Sequence, residues 1–167
     1  MANEFFEDDE YYTGPPLTPD LVDRAERSLG LHLPHAYLDL LQQRNGGVPR
    51  KRCYPTQFPT SWAPTHFEVS AVLGLGGRLG VDAEEGQGSA DLIREWGYPD
   101  LGVVVCDTPS RGHDTVMLDY TECGKDGEPR VVYVDEDRVP RVIASSFSDF
   151  LQTLVTCPEV GRYGSTE

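Results

Sequence analysis

Leu33-Pro34-His35-Ala36-Tyr37, followed by Leu40-Leu41 and then Asn45-Gly46-Gly47, decides how this chain is to be read. A proline suits the opening of a helix, where its missing N–H costs nothing. Tyr37, Leu40 and Leu41 recur at helical spacing and make one apolar stripe. Asn45-Gly46 can then turn through positive φ without the steric cost other residues meet. The stretch predicts a short amphipathic helix over residues 34–44. Its residues serve the fold, and no catalytic group stands at its centre.

Upstream, Thr18-Pro19-Asp20 has the form of a second helix start: a capping hydroxyl, a proline at the first position and an acid at the positive end of the helix dipole. Leu21, Val22, Ala25 and Leu29 follow with charges between them, and Gly30 fits the left-handed stop. Residues 1–16 carry Glu4, Glu7, Asp8, Asp9 and Glu10 with no basic residue, interleaved with Phe5, Phe6, Tyr11 and Tyr12. They are expected to form a flexible acidic arm, frayed at its terminus, the alternative being that its aromatics pack on the body or meet a partner.

Downstream, residues 48–66 show no clean period and contain Pro49, Pro55, Pro59 and Pro64, which predicts an irregular loop anchored by burial of Trp62. Val69, Ala71 and Leu73 alternate like a strand. Residues 74–88 are glycine-rich and irregular, and residues 89–96 can form a short helix. Three strands follow, over residues 101–106, 115–120 and 130–134. Lys125-Asp126-Gly127 supplies turn chemistry between the last two. Ser146 and Asp149 have the spacing of a capping box, and Phe147, Phe150, Leu151 and Leu154 give a closing helix its apolar face. Leu21, Leu40, Leu41, Val104, Val132, Phe147, Phe150 and Leu151 are the expected core anchors.

Two helices, clustered strands and a last helix, without repeated β-α-β units, predict an α+β fold with a mostly antiparallel central sheet flanked by helices. A chain of 167 residues with 38% apolar content suits one domain. Its expected limits are residues 17–157, between the arm and a flexible tail over residues 158–167.

The formal net charge is −14. Such a balance disfavours nucleic acid, whose phosphates call for Lys and Arg, and favours a basic protein partner through steering. Neither a basic leader followed by an apolar run nor a stretch of membrane-spanning length is present, so a cytoplasmic protein is expected. On that expectation Cys53, Cys106, Cys123 and Cys157 are free thiols, and none of them forms a C-x-x-C pair.

The chemistry-bearing candidates are few. Residues 74–80 lack the frame of a phosphate-binding loop. Cys106, Asp107 and His113 lie close enough in sequence to raise a thiol–imidazole pair, but Cys106 ends an apolar strand, where inert buried cysteines are common. His32 and His35 flank Pro34 without a third nearby ligand. Asp82, Glu84, Glu85, Asp107, Asp114, Asp119 and Asp135 follow no calcium-loop spacing. No catalytic residue, cofactor or metal is expected.

Taken together, the anchors resemble the SUKH superfamily, which joins a fungal cell-wall synthesis regulator with bacterial toxin-immunity proteins. The resemblance rests on Leu33-Pro34, Tyr37, Leu40-Leu41 and Asn45-Gly46-Gly47; on Val104-Val105-Cys106-Asp107; on Val116, Leu118, Asp119-Tyr120 and Val131-Val132-Tyr133; and on Ile143-Ala144-Ser145-Ser146-Phe147, Phe150 and Leu151. It spans roughly residues 18–155. It implies an α+β fold and a protein-binding role, with bacterial members thought to neutralise toxins, often nucleases. The acidic arm and the insert at 48–66 depart from that pattern. The expectation is a non-enzymatic immunity protein binding a basic toxin. A regulatory scaffold is the alternative, and a thiol enzyme using Cys106 a lesser one. Glu68, Asp82, Glu84, Glu85 and Asp91 are the expected contacts, chosen as charge near irregular segments.

Overall fold

The computed structural model describes residues 4–83 and 88–157. The expected tail at 158–167, together with Glu84 and Glu85, lies outside them. Helix α1 spans Pro19–Leu29 and α2 spans His35–Gln43; strands β1 (Cys53–Pro55), β2 (His66–Glu68) and β3 (Ala71–Val72) follow. Then come α3 (Ser89–Trp96), β4 (Gly102–Asp107), β5 (Thr115–Asp119), β6 (Arg130–Val134), β7 (Pro140–Ala144) and α4 (Phe147–Thr153).

The five strands β3-β4-β5-β6-β7 form one sheet in that order, antiparallel throughout, and β1 pairs with β2 in a small separate sheet. The fold is therefore α+β, as the clustered strands predict. Every strand of the main sheet pairs with its neighbour in sequence. Short connections suffice for antiparallel pairing, whereas parallel strands would need crossovers.

The helix ends follow the chemistry of their sequences. Thr18 Oγ1 accepts a hydrogen bond from Leu21 N at 3.1 Å, and Gly30 stops α1 at φ 74°. Ser146 Oγ accepts from Asp149 N at 3.2 Å and caps α4. Gly46 turns at φ 96°, as the end of the opening stretch requires.

One core cluster reaches from Phe6 to Leu154. Tyr37 is fully buried, meets Phe147 edge-to-face at 5.2 Å and donates from its hydroxyl to Leu73 O at 2.5 Å. Phe150 stacks on Tyr54, Tyr54 on Phe67, and Phe67 on Tyr133 at 4.1 Å. Burying one such ring contributes about 1.5–3 kcal/mol. This aromatic run joins α4, the small sheet and β6 into one interior. Seven of the expected anchors are buried; Leu151 is partly exposed at the edge of the cluster.

Four expectations need correction. The stretch at 48–66 is not irregular throughout, because Cys53, Tyr54 and Pro55 pair with Glu68, Phe67 and His66. Trp62 is half-buried rather than enclosed. Residues 4–16 do not lie free of the body. Phe6 is fully buried and bridges Pro49, Glu7 N donates to Val48 O at 2.7 Å, and Arg50 N donates to Phe5 O at 2.8 Å. Burial of the phenyl ring supplies the drive that composition obscured. Finally, not all four cysteines are free: Cys53 and Cys157 form a disulfide, leaving Cys106 and Cys123 as thiols. Among the described residues no helix is long and apolar enough to cross a membrane.

Candidate partner-binding cleft

Asn45 is the post on which the arm hangs. It is buried, and its side-chain Nδ2 donates to Pro15 O at 2.6 Å and to Leu75 O at 2.8 Å. Its Oδ1 accepts from Leu75 N at 2.9 Å, and its backbone oxygen accepts from Gly14 N at 2.8 Å. Thr13 Oγ1 adds a hydrogen bond to Gly46 O at 2.8 Å. The arm is thereby fixed beside the glycine-rich stretch, and Tyr11 and Tyr12 project next to the mouth of a cleft.

That cleft has a volume of about 520 Å³ and is bounded by Tyr12, Arg78, Trp96, Tyr98, Asp107 and Arg111 among others. The Tyr12 hydroxyl donates to Asp107 Oδ2 at 2.7 Å, and Thr108 N donates to Asp107 Oδ1 at 3.0 Å. Burial, then the hydrogen bond to Asp107, pushes the Tyr12 phenol well above its ordinary range, so it remains a neutral donor. Tyr11 is 63% exposed, with the Arg78 guanidinium 5.9 Å from its ring centre. Tyr11 and the half-buried Trp96 both line this cleft, and Tyr and Trp are residue types enriched at the centres of protein interfaces.

Cys106 and Asp114 also line the cleft, and their chemistry is quiet. Cys106 is 1% exposed and belongs to the core; burial drives its thiol far above the range in which a thiolate forms. His113 is exposed instead, with its ring near Trp96 and Trp62 and its Nδ1 3.7 Å from Glu136 Oε2. Asp114 is buried and accepts from Thr108 Oγ1 at 2.6 Å, from Ser110 Oγ at 2.5 Å and from the Tyr133 hydroxyl. Burial raises its pKa, while those hydroxyls oppose the rise.

The other sequence candidates have local tasks. In the glycine-rich stretch, Gly76 N donates to Asp82 Oδ1 at 2.8 Å, Gly80 N to Gly77 O and Val81 N to Gly74 O. These bonds close the loop on itself. His32 is exposed between Glu26 and Asp126, with ring nitrogens 3.2 and 3.3 Å from their carboxylates, and its backbone N donates to Lys125 O.

Of the expected contact acids, Glu68, Asp82 and Asp91 lie among the described residues. Asp82 lies within the glycine-rich stretch, and Asp91 is in the first turn of α3, ion-paired with Arg94. Their two segments also contribute Arg78 and Trp96 to the cleft. Glu68 sits apart on β2, opposite Cys53. Sequence reasoning missed the arm's tyrosines as cleft walls and Asn45 as their support. The one available signal was the placement of four aromatics among the arm's acids.

The profile of the SMI1 / KNR4 family (SUKH-1) matches residues 16–153. The chain belongs to this family. The matched span begins at the end of the arm and closes at the last residue of α4, so Phe6, Tyr11 and Tyr12 precede it. The matched span contains the sheet and the helices, and the arm residues packed against them precede it. No curated protein sequence matches the chain.

Proposed function

We propose that this SUKH-1 protein is a non-catalytic immunity-type binding domain that neutralises a basic toxin, one acting on nucleic acid being the best fit. Membership of a family that includes immunity proteins carries the reading, and the net charge of −14 supports a cationic partner. A negative surface speeds encounter with a positively charged nuclease cleft and competes there with phosphate. Asp82 and Asp91, with Glu84, Glu85 and Glu68, are the proposed electrostatic contacts. Tyr11 and Trp96 at the arm-side cleft are the proposed apolar anchors, since exposed aromatics lose little entropy on docking.

Burial of the Cys106 thiol supports a role without catalysis. The proposed place of action is the cytoplasm, where the Cys53–Cys157 pair meets reducing conditions. The test is capture of partners from the native cell at low and high salt, joined to a toxicity assay. A cationic toxin released by salt, and protection lost in Tyr11→Ala/Trp96→Ala, is the expected result. Capture of acidic signalling enzymes with no protection would replace this reading with that of a regulatory scaffold.

A further inference from the structure

The disulfide has a carboxylate beside it. Cys53 and Glu68 are directly opposed across the β1–β2 pair, so their side chains share a face of the small sheet. On its other side Cys53 bridges Val155: Cys53 N donates to Val155 O at 3.0 Å, and Val155 N donates to Cys53 O at 2.8 Å. Two residues further on, Cys157 reaches back to Cys53. The two Sγ atoms and one carboxylate oxygen of Glu68 all lie within 4.8 Å of one another. Cys53 is buried, whereas Cys157 and Glu68 are half-buried, so solvent reaches one side of the group.

We propose that reduction converts this group into a zinc site with Cys53, Cys157 and Glu68 as ligands. The first step is thiol–disulfide exchange with a dithiol reductant. One reductant thiolate attacks a sulfur of the pair, a mixed disulfide forms, and the reductant's second thiol closes on the first. The reductant leaves as its own disulfide, and the protein gains two electrons and two protons as two cysteine thiols. The paired hydrogen bonds between Cys53 and Val155 do not depend on the sulfur bond, so they keep the two thiols together.

Two thiolates and a carboxylate match the donor preferences of Zn²⁺, which takes four ligands tetrahedrally and leaves a fourth position here for water. Binding expels both thiol protons. Disulfide and metal exclude each other because both use the same two sulfurs. The segment after α4 is thus held to β1 by a covalent bond under oxidising conditions and by a metal bridge under reducing ones. This inference is independent of the proposed partner.

The experiment uses the full chain, oxidised in one portion and dithiol-reduced in another, with excess reductant removed without air. Co²⁺ is the spectroscopic probe, and Zn²⁺ affinity is read by competition with a chromogenic chelator. Expected are one equivalent of metal bound by the reduced chain, a thiolate-to-cobalt charge-transfer band, and neither in the oxidised chain. Glu68→Gln should weaken Zn²⁺ by at least about 10-fold, and Cys123→Ser should change nothing. Cys157→Ser, altered at the half-buried end, should lose the stoichiometric site while keeping its circular dichroism. Failure of the reduced chain to bind, equal binding by Cys157→Ser, or unchanged affinity in Glu68→Gln would each overturn the proposal. Should Cys157→Ser not fold, the Glu68→Gln comparison still decides it.

Discussion

Asn45 and Leu75 exchange a closed pair of hydrogen bonds, Leu75 N to Asn45 Oδ1 at 2.9 Å and Asn45 Nδ2 to Leu75 O at 2.8 Å. A side-chain amide here takes the place of a neighbouring strand. The same Nδ2 also reaches Pro15 O, so one buried residue ties the arm, the end of α2 and the glycine-rich stretch together. Asn45→Ala leaves the Leu75 N–H and C=O without their partner and should cost about 2–6 kcal/mol in urea unfolding, at 1–3 kcal/mol for each of these two groups. Asn45→Asp should cost more, because it sets a carboxylate against two carbonyl oxygens. Stability within 0.5 kcal/mol of the parent, roughly the scale of a neutral surface change, would refute the tie.

Gly46 is the neighbouring constraint. Its φ of 96° is strained for any side chain, and a Cβ there would lie 2.6 Å from Tyr12 O and 3.0 Å from Gly74 N. Gly46→Val should therefore destabilise the fold by roughly 1–3 kcal/mol. It should also loosen the arm, read as faster cleavage near Tyr11 and Tyr12 in limited proteolysis. Gly30→Ala makes the comparison, since φ is again positive but nothing lies within 4 Å of the added atom. The smaller loss expected there would separate backbone strain from collision.

How far the sequence carried the reading follows from where each signal was local. The caps at Thr18 and Ser146, the stop at Gly30 and the turn at Gly46 depend on residues a few positions apart, and the structure has them where the sequence puts them. β6 spans Arg130–Val134, as its unbroken apolar run predicts for a strand covered on both faces. β7 left no comparable trace. It is an edge strand that begins at Pro140, carries Arg141, leaves Val142 half exposed and is interrupted by a register shift against β6. β1 and β2 are three residues each and hidden among prolines. The cleft was least legible, because it joins Tyr12 to Asp107 across 95 residues. The Cys53–Cys157 bond, with a separation of 104, left no spacing motif to read.

Asp119 gives the fold a predictable response to acid. It is buried at the end of β5; Thr121 donates from its N at 2.9 Å and from its Oγ1 at 2.7 Å, and Arg130 Nε donates at 3.0 Å. Burial alone would raise its pKa, but these donors outweigh burial and hold the carboxyl below its usual value. A folded pKa lower than the unfolded one means the unfolded chain takes up the proton first. The associated stability is therefore present above about pH 4, the unfolded value, and is lost as pH falls through the folded value. Asp119→Asn should cost about 1.5–3 kcal/mol at pH 7, on the scale of a hydrogen bond to a charged group, and less at pH 2.5. Equal losses at both pH values would remove the charge from the explanation.

The Cys53–Cys157 bond closes a loop with a separation of 104 residues and carries the chain from α4 back to β1. Linking such distant points restricts the unfolded chain far more than the folded one, where the Cys53–Val155 bridge already holds the segment in place. Cys157→Ser in the metal-free chain should lower unfolding free energy by about 2–4 kcal/mol. Treating the oxidised parent with a reductant should bring it down to the variant. The variant's own stability should not respond to that treatment, because Cys53 without its partner joins Cys106 and Cys123 as a thiol and the bond to be reduced is gone. The loss should appear in the unfolding midpoint and not in the far-ultraviolet spectrum below it, since backbone pairing survives. A parent whose stability is identical with and without reductant would mean that the bond does not constrain the unfolded chain.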